Sequence, residues 1–443
     1  QMKNFKTLLF ISFGVLLLAA NTYAHGDNGH VCVHDQIDFK PRTGYHHDDP
    51  TGHHRVLADW APFRISADYS LLQSMNNDTI AGYINSTLFP AAIKWITATY
   101  QVKQLTSPLT AMYPTCSSAN FSGIIYGKSI SNTDLFLVVS YANEPKASWV
   151  ARATACEIDA GNYRTYLGLV EFNLQYTNTD EASWASNLAT VLHEIHHILF
   201  FSSSQFSRYI DPATNKVLTG HYTYQMIDNI NTTVFTHPRI LDEARNYFGC
   251  SSLQYVRIEN QGSTGSQGSH WERKWFGNEF MTASVGPRMP VSNLTLILAE
   301  VSGWYKSNFA MAEQLYWGKG RGCNLLTQPC LSGSSASALT ASSPEFCTQA
   351  GVKGCDYENS AAGYCATATS SAAPPTAWDY FKDGKTFSPD VFSDNCPKIN
   401  GYSNRVCTDP SSLAMSDVDE SLGSNSACFM NTLVKQYYAS RLD

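Results

Sequence analysis

Apolar residues recur at Trp184, Leu188, Leu192, Ile195 and Leu199, the three-to-four-residue spacing of a helix that buries one face. Thr179 or Asp180 can cap that helix, and Asp180 and Glu181 suit its first turn. Upstream, the unbroken apolar run Leu135 to Val139 predicts a buried strand, and Thr165 to Phe172 predicts a second one just before the helix. Phe63 to Ala67 reads as a strand. Thr87 to Tyr100 reads as a helix, with Pro90 tolerated in its first turn. Leu241 to Tyr247 predicts a short helix, and Asn293 to Lys306 another, through Leu296, Leu298, Val301 and Trp304. Residues 202–269 give mixed signals. Beyond Cys323 the chain is loop-rich, with Ser/Ala-rich stretches at Ser332–Ser343 and Ala366–Ala377 that bury too little apolar surface to fold without disulfides. There is no internal repeat. Strands leading into one long helix suggest an α/β core.

The first residues carry a different pattern. Behind Gln1 and Met2, Lys3 and Lys6 precede the apolar run Leu8 to Ala20, and Thr22 and Ala24 favour cleavage before His25. This is the form of a secretory signal, and the run is short for a membrane span. His25 to about Arg55 is rich in His, Asp and Gly and reads as a pro-segment rather than a core element. Twelve cysteines fit an oxidising destination. The sequons at Asn77, Asn85, Asn120, Asn231 and Asn293 are compatible with a glycoprotein on that route. A net charge of −7 over 443 residues, with no Lys/Arg cluster, argues against a nucleic-acid partner. No other apolar stretch reaches membrane-spanning length, so the expected product is secreted or displayed at the cell surface.

The predicted helix ends in His193-Glu194-Ile195-His196-His197. Histidines four apart lie one turn apart on one face, where both imidazoles can bind a single Zn²⁺. Glu194 can then act as general base on a water at that ion. His196, at the three-residue spacing, is the alternative partner to His197 and lacks the favourable geometry. Catalytic zinc needs a third protein ligand. The compact pattern would place it at position 203, which is Ser203. His221, His237, Glu243 and His270 remain as candidates. Local context favours His270, in Gly265-Ser266-Gln267-Gly268-Ser269-His270-Trp271, a loop able to approach a metal closely and followed eleven residues later by Met281.

With these motifs in place the chain resembles leishmanolysin, the surface metalloprotease family of the metzincin clan. The resemblance rests on His193-Glu194-Ile195-His196-His197, the separate Gly268-Ser269-His270 and Asn278-Glu279-Phe280-Met281. It extends to Ser131-Asn132-Thr133-Asp134, to Asp59-Trp60 with Arg64-Ile65, and to His30-Val31-Cys32-Val33-His34-Asp35. The long insertion between the second and third histidines is a mark of the family, and 72 residues separate His197 from His270. The resemblance implies that His193, His197 and His270 bind one zinc ion, that Glu194 is the general base, and that Met281 forms the turn beneath the metal. It implies too that Cys32 is a pro-segment thiol capping the zinc; a pro-segment disulfide is the competing reading.

The implied fold is α+β of metzincin type. Its expected parts are a signal peptide (1–24), a pro-segment with a cysteine switch (25–55), an N-terminal catalytic domain (56–201), an inserted central domain carrying the third His and the Met-turn (202–328) and a disulfide-rich C-terminal domain (329–443), shortened relative to the family. The resemblance suggests disulfides Cys116–Cys156, Cys250–Cys323, Cys330–Cys396, Cys347–Cys365 and Cys355–Cys428, leaving Cys407 without its family partner. Thr165 to Phe172 is the candidate edge strand for an extended substrate. One departure stands out: Phe200 occupies a position where the family usually has a Gly that eases the helix exit with positive φ. The expected function is a secreted or cell-surface zinc endopeptidase acting on proteins or peptides. The rival readings are a zinc-binding but catalytically impaired adhesion protein and a disulfide-rich ectodomain with an incidental motif.

Overall fold

The computed structural model describes residues 31–44, 56–370 and 379–410, apart from 38, 76, 148, 263–264 and 285–287, with positions 412, 422–423 and 425–429 beyond them. The secretory signal and the stretch 45–55 lie outside the described residues. Two compact units are present, Asn28–Leu315 and a second drawn from Tyr316–Asp443.

The first unit is organised on a five-stranded sheet of β1 (Arg42–Gly44), β2 (Ile65–Asp68), β3 (Leu135–Ala142), β4 (Ala151–Asp159) and β5 (Thr165–Asn173), in the order β1-β4-β5-β3-β2. β2, β3 and β5 are mutually parallel, β4 runs antiparallel to β5, and β1 runs parallel to β4. The apolar runs become its centre: all nine residues of β5 are buried. Periodicity carries no information on strand order, and the edge position expected for Thr165–Phe172 came from the family resemblance. Thr165–Phe172 is not an edge, because β5 is paired on both sides, with β4 and with β3. The outermost strands are β1 and β2; β4 lies next inward, and residues 42–44 of β1 pair with only its last part, Glu157–Asp159. Residues 42–44 thus join the sheet, in a stretch whose sequence showed no strand pattern. A polar strand can join an edge through backbone hydrogen bonds alone. At the start of β3, buried Asp134 receives Nε and a terminal nitrogen of Arg64, both at 2.8 Å, tying β2 to β3.

Against this sheet lies α2 (Trp184–Leu199), preceded by α1 (Phe89–Thr99), which carries Pro90 in its first turn. Asp180 caps the short 3-10 turn Glu181–Ser183 that leads into α2, its carboxylate accepting from Ser183 N at 2.8 Å. Gly168 of β5 permits the close approach: a Cβ there would stand 2.8 Å from the Ile198 side chain. From Thr190 to Leu199 every residue of α2 is buried, so the helix has no solvent face in its second half. The rest of the unit includes the hairpin Tyr222–Ile227 and Ile230–Phe235, α3 (Pro238–Phe248) and α4 (Asn293–Val301). α4 stops short of the expected Lys306, because the chain turns at Gly303 (φ 78°), where a side chain would collide with Ile210 O.

The second unit is built of short strands, with a three-stranded sheet of Lys353–Cys355, Ala361–Cys365 and Ile399–Val406. Disulfides Cys330–Cys396, Cys347–Cys365 and Cys355–Cys428 form within it, and Cys116–Cys156 forms in the first unit. Cys250 and Cys323 are also disulfide-bonded, while Cys32 and Cys407 are buried thiols.

Candidate metal centre

α2 presents His193 and His197 to one point, and the Gly265–His270 loop brings His270 to the same place. The Nε2 atoms of His193 and His197 are 3.1 Å apart, and those of His193 and His270 are 3.2 Å apart. Cys32 Sγ lies 3.3 Å from His197 Nε2, and the four candidate ligand atoms all fall within 4.8 Å of one another. All four residues are buried, and together they could hold a metal ion.

Hydrogen bonding on the far side of each ring fixes its orientation. Nδ1–H of His193 donates to Phe280 O (2.8 Å), that of His197 to Phe201 O (2.6 Å) and that of His270 to Ser266 O (2.8 Å). A carbonyl can only accept, so in a neutral imidazole the proton sits on Nδ1 and the Nε2 lone pair points inward. Three converging lone pairs repel unless a cation joins them, and three imidazoles with a thiol form a donor set suited to zinc. Burial, with the neighbouring His34, His193 and His270, holds His197 far below the ordinary imidazole range, which favours the neutral ring.

Glu194 projects beside this cluster, fully buried, with Oε1 3.5 Å from the Cys32 thiol. Burial pushes its carboxyl up to about 7, against the lowering influence of His193 and His34. The same burial, reinforced by Glu194, raises the Cys32 thiol well above its usual range. Met281 is fully buried in the turn after Glu279, its N–H donating to that carboxylate (2.6 Å) and its carbonyl accepting from Trp271 N (2.9 Å). Glu279 also receives both the Ser292 and the Thr295 hydroxyls at 2.6 Å.

The other histidines and the glutamate are engaged elsewhere. His221 Nε2 bonds Phe206 O at 2.8 Å, and the His237 ring accepts from Arg239 N at the start of α3. Glu243, on α3, accepts from the Asn293 amide. His196 faces away from the cluster, with Nδ1 on Leu192 O (2.7 Å) and Nε2 on the Tyr100 hydroxyl (2.8 Å). Ser203 N–H donates to Ser269 Oγ, and its hydroxyl donates to Asp35. Phe200 ends the helix at φ −158°, ψ −22°, an extended φ open to any residue. The helix therefore leaves without the left-handed turn that Gly would serve, and the ring is wholly buried.

Sequence reasoning did not anticipate how closely the segment around Cys32 is held. His34 stacks on His197 at 4.2 Å between centroids, with its nitrogens on Ala153 O and Ser202 Oγ. Ser269 donates to Asp35 (2.7 Å), Ser266 donates to Cys32 O (2.7 Å), and Cys32 N–H donates to Ala283 O (3.2 Å). The serines that follow the two glycines of the third-histidine loop, Ser266 and Ser269, were the available signal.

Residues 75–441 match the family model described as Leishmanolysin, a peptidase family. A leishmanolysin-like peptidase of Caenorhabditis elegans is 25% identical over 379 residues, covering 68% of this chain and 56% of that protein. Leishmanolysin of Leishmania donovani is 27% identical over 362 residues, covering 80% of this chain and 57% of its own length. A leishmanolysin-like peptidase of Drosophila melanogaster is 30% identical over 237 residues, covering 46% and 35%. The chain thus spans about half the length of the curated relatives it matches.

Proposed function

Because this chain belongs to the leishmanolysin family of metallopeptidases, we propose that it is a secreted or cell-surface zinc endopeptidase made as a latent precursor. The convergence of three imidazole Nε2 atoms, each backed by a carbonyl at Nδ1, is the observation that carries this reading. His193, His197 and His270 would hold one Zn²⁺, with Met281 in the turn beneath. Bound there, zinc supplies a Lewis acid that polarises the scissile carbonyl and makes water more acidic. Glu194 accepts the proton of the attacking water and passes it to the departing amine; a carboxyl raised toward neutrality by burial suits both transfers. An extended peptide substrate pairs with β4, which becomes an edge of the sheet once β1 leaves with the pro-segment. Cys32 lies where a water would be needed, so the segment that carries it blocks the reaction until it is removed.

The metzincin layout, with a catalytic region through residue 201 and an inserted region bearing His270 and Met281, is part of the same proposal. Among the described residues no helix is long and apolar enough to cross a membrane.

Substitution of Glu194 tests the chemistry. In the activated protein Glu194→Ala should retain zinc near one per chain, while casein or peptide hydrolysis falls by at least the ~10²–10⁴-fold expected for loss of a general base. Wild-type turnover in that variant would sink the mechanism.

A further inference from the structure

His196 and Tyr100 are buried, outside the candidate ligand set, and bonded to each other at 2.8 Å. Resting on the zinc-peptidase reading, we propose that this pair is a positioning unit that holds the ring-orienting carbonyls behind His193 and His197.

The argument begins with the protons. Leu192 O can only accept, so His196 Nδ1 carries the hydrogen; in the neutral ring Nε2 is then an acceptor, and the Tyr100 hydroxyl donates to it. Both bonds lie in an apolar surround, where an unmade bond is costly, so the ring has a single satisfied orientation. In that orientation it touches both sides of the site. Its plane meets the Phe280 ring at 4.9 Å and 80°, and the Phe200 ring at 5.5 Å and 76°. Trp95 and Tyr100 close the cage at 5.9 and 5.6 Å.

The two phenylalanines matter for what their backbones do. Phe280 is the residue whose carbonyl takes Nδ1–H of His193. Phe200 precedes Phe201, whose carbonyl takes Nδ1–H of His197. His196 is thus wedged between the two peptide segments that set the rotation of two candidate ligands. Tyr100 anchors the wedge from the strand Tyr100–Leu105, packing in turn on Phe200 at 6.0 Å and Tyr305 at 5.6 Å. Phe200 can replace a helix-ending Gly because its extended φ needs no left-handed residue and this cage receives its ring.

Tyr100→Phe is the discriminating variant, since it removes one hydroxyl and keeps the ring. In the activated protein, zinc transfer to a chromogenic chelator should quicken about 10–100-fold, as expected when a group behind a metal ligand is lost. kcat should fall while KM stays within about twofold, the pattern of a disturbed reacting centre rather than a disturbed substrate site. The cobalt-substituted variant should show altered visible bands, a signature that lost stability alone does not produce. His196→Ala should change the same three readouts in the same direction. If both variants melt at lower temperature yet keep wild-type zinc release, cobalt spectrum and kcat, the pair is merely structural and the proposal is overturned. A wild-type protein that takes up no zinc would instead overturn the peptidase reading beneath it.

Discussion

Replacing Phe200 by Gly restores the residue usual in the family at the end of the metal-binding helix, and the structure says this reversion should do harm. Were the backbone there left-handed, Gly would relieve strain and stabilise the protein. It is not: φ is −158°. Gly therefore brings only its entropic penalty, about 0.5–1 kcal/mol relative to Ala. The ring is fully buried against Tyr100, His196, Phe201 and Tyr305, and truncating such a phenylalanine costs about 3–5 kcal/mol in transfer and cavity terms. The sum is roughly 4–6 kcal/mol, a large share of the ~5–15 kcal/mol that keeps a domain folded. At a few degrees per kcal/mol this lowers the melting temperature by on the order of 10–20 °C. Thermal unfolding of the full chain followed by tryptophan fluorescence reads it, with Trp95 beside the site as one reporter. A variant as stable as wild type, or more stable, refutes the account of the helix exit.

Two other outcomes follow from contacts already described. A precursor carrying Cys32→Ser should hydrolyse peptides that the wild-type precursor leaves intact, because the thiol sits against His197 and Glu194; a silent Ser variant counts against a thiol cap. Burial raises Glu157, with Tyr166 and the Met112 and Tyr113 amides opposing it, so its favourable contribution is complete below the unfolded pKa and lost as pH rises through the folded one. Urea midpoints of wild type should lose ground to Glu157→Gln as pH rises above the ordinary glutamate range, and a pH-independent difference would contradict that sign.

Much of the centre was legible because it depends on short spacing. His193 and His197 share a helix face by geometry alone, and the apolar stripe of that helix announced itself. What stayed hidden depends on the partner. A stripe of one face could not show that residues 190–199 are enclosed on every side, so His196 read as a weak ligand rather than a buried prop. Strand order is absent from periodicity, and Thr165–Phe172 passed for an edge although its unbroken apolar character fits an interior strand. Arg42–Gly44 has no hydrophobic signature because it joins the sheet through main-chain bonds. Local sequence left His221, His237, Glu243 and His270 as candidates; the separation came only when Phe206 O, Arg239 N and Asn293 were found holding the first three.

The wide spacing of the ligand set has a consequence for how the molecule is made. His193 meets His270 across 77 positions, and Cys32 meets His197 across 165. Closing loops of that length is entropically late work, done after local helices and neighbouring strands have formed. A ribosome that has just released the motif helix has delivered Cys32, His193 and His197 but not His270, and of these only the two histidines are held together by local structure. Metal uptake then follows the assembly of the chain rather than seeding it, and the ion content of a freshly made population measures the fraction that has finished folding.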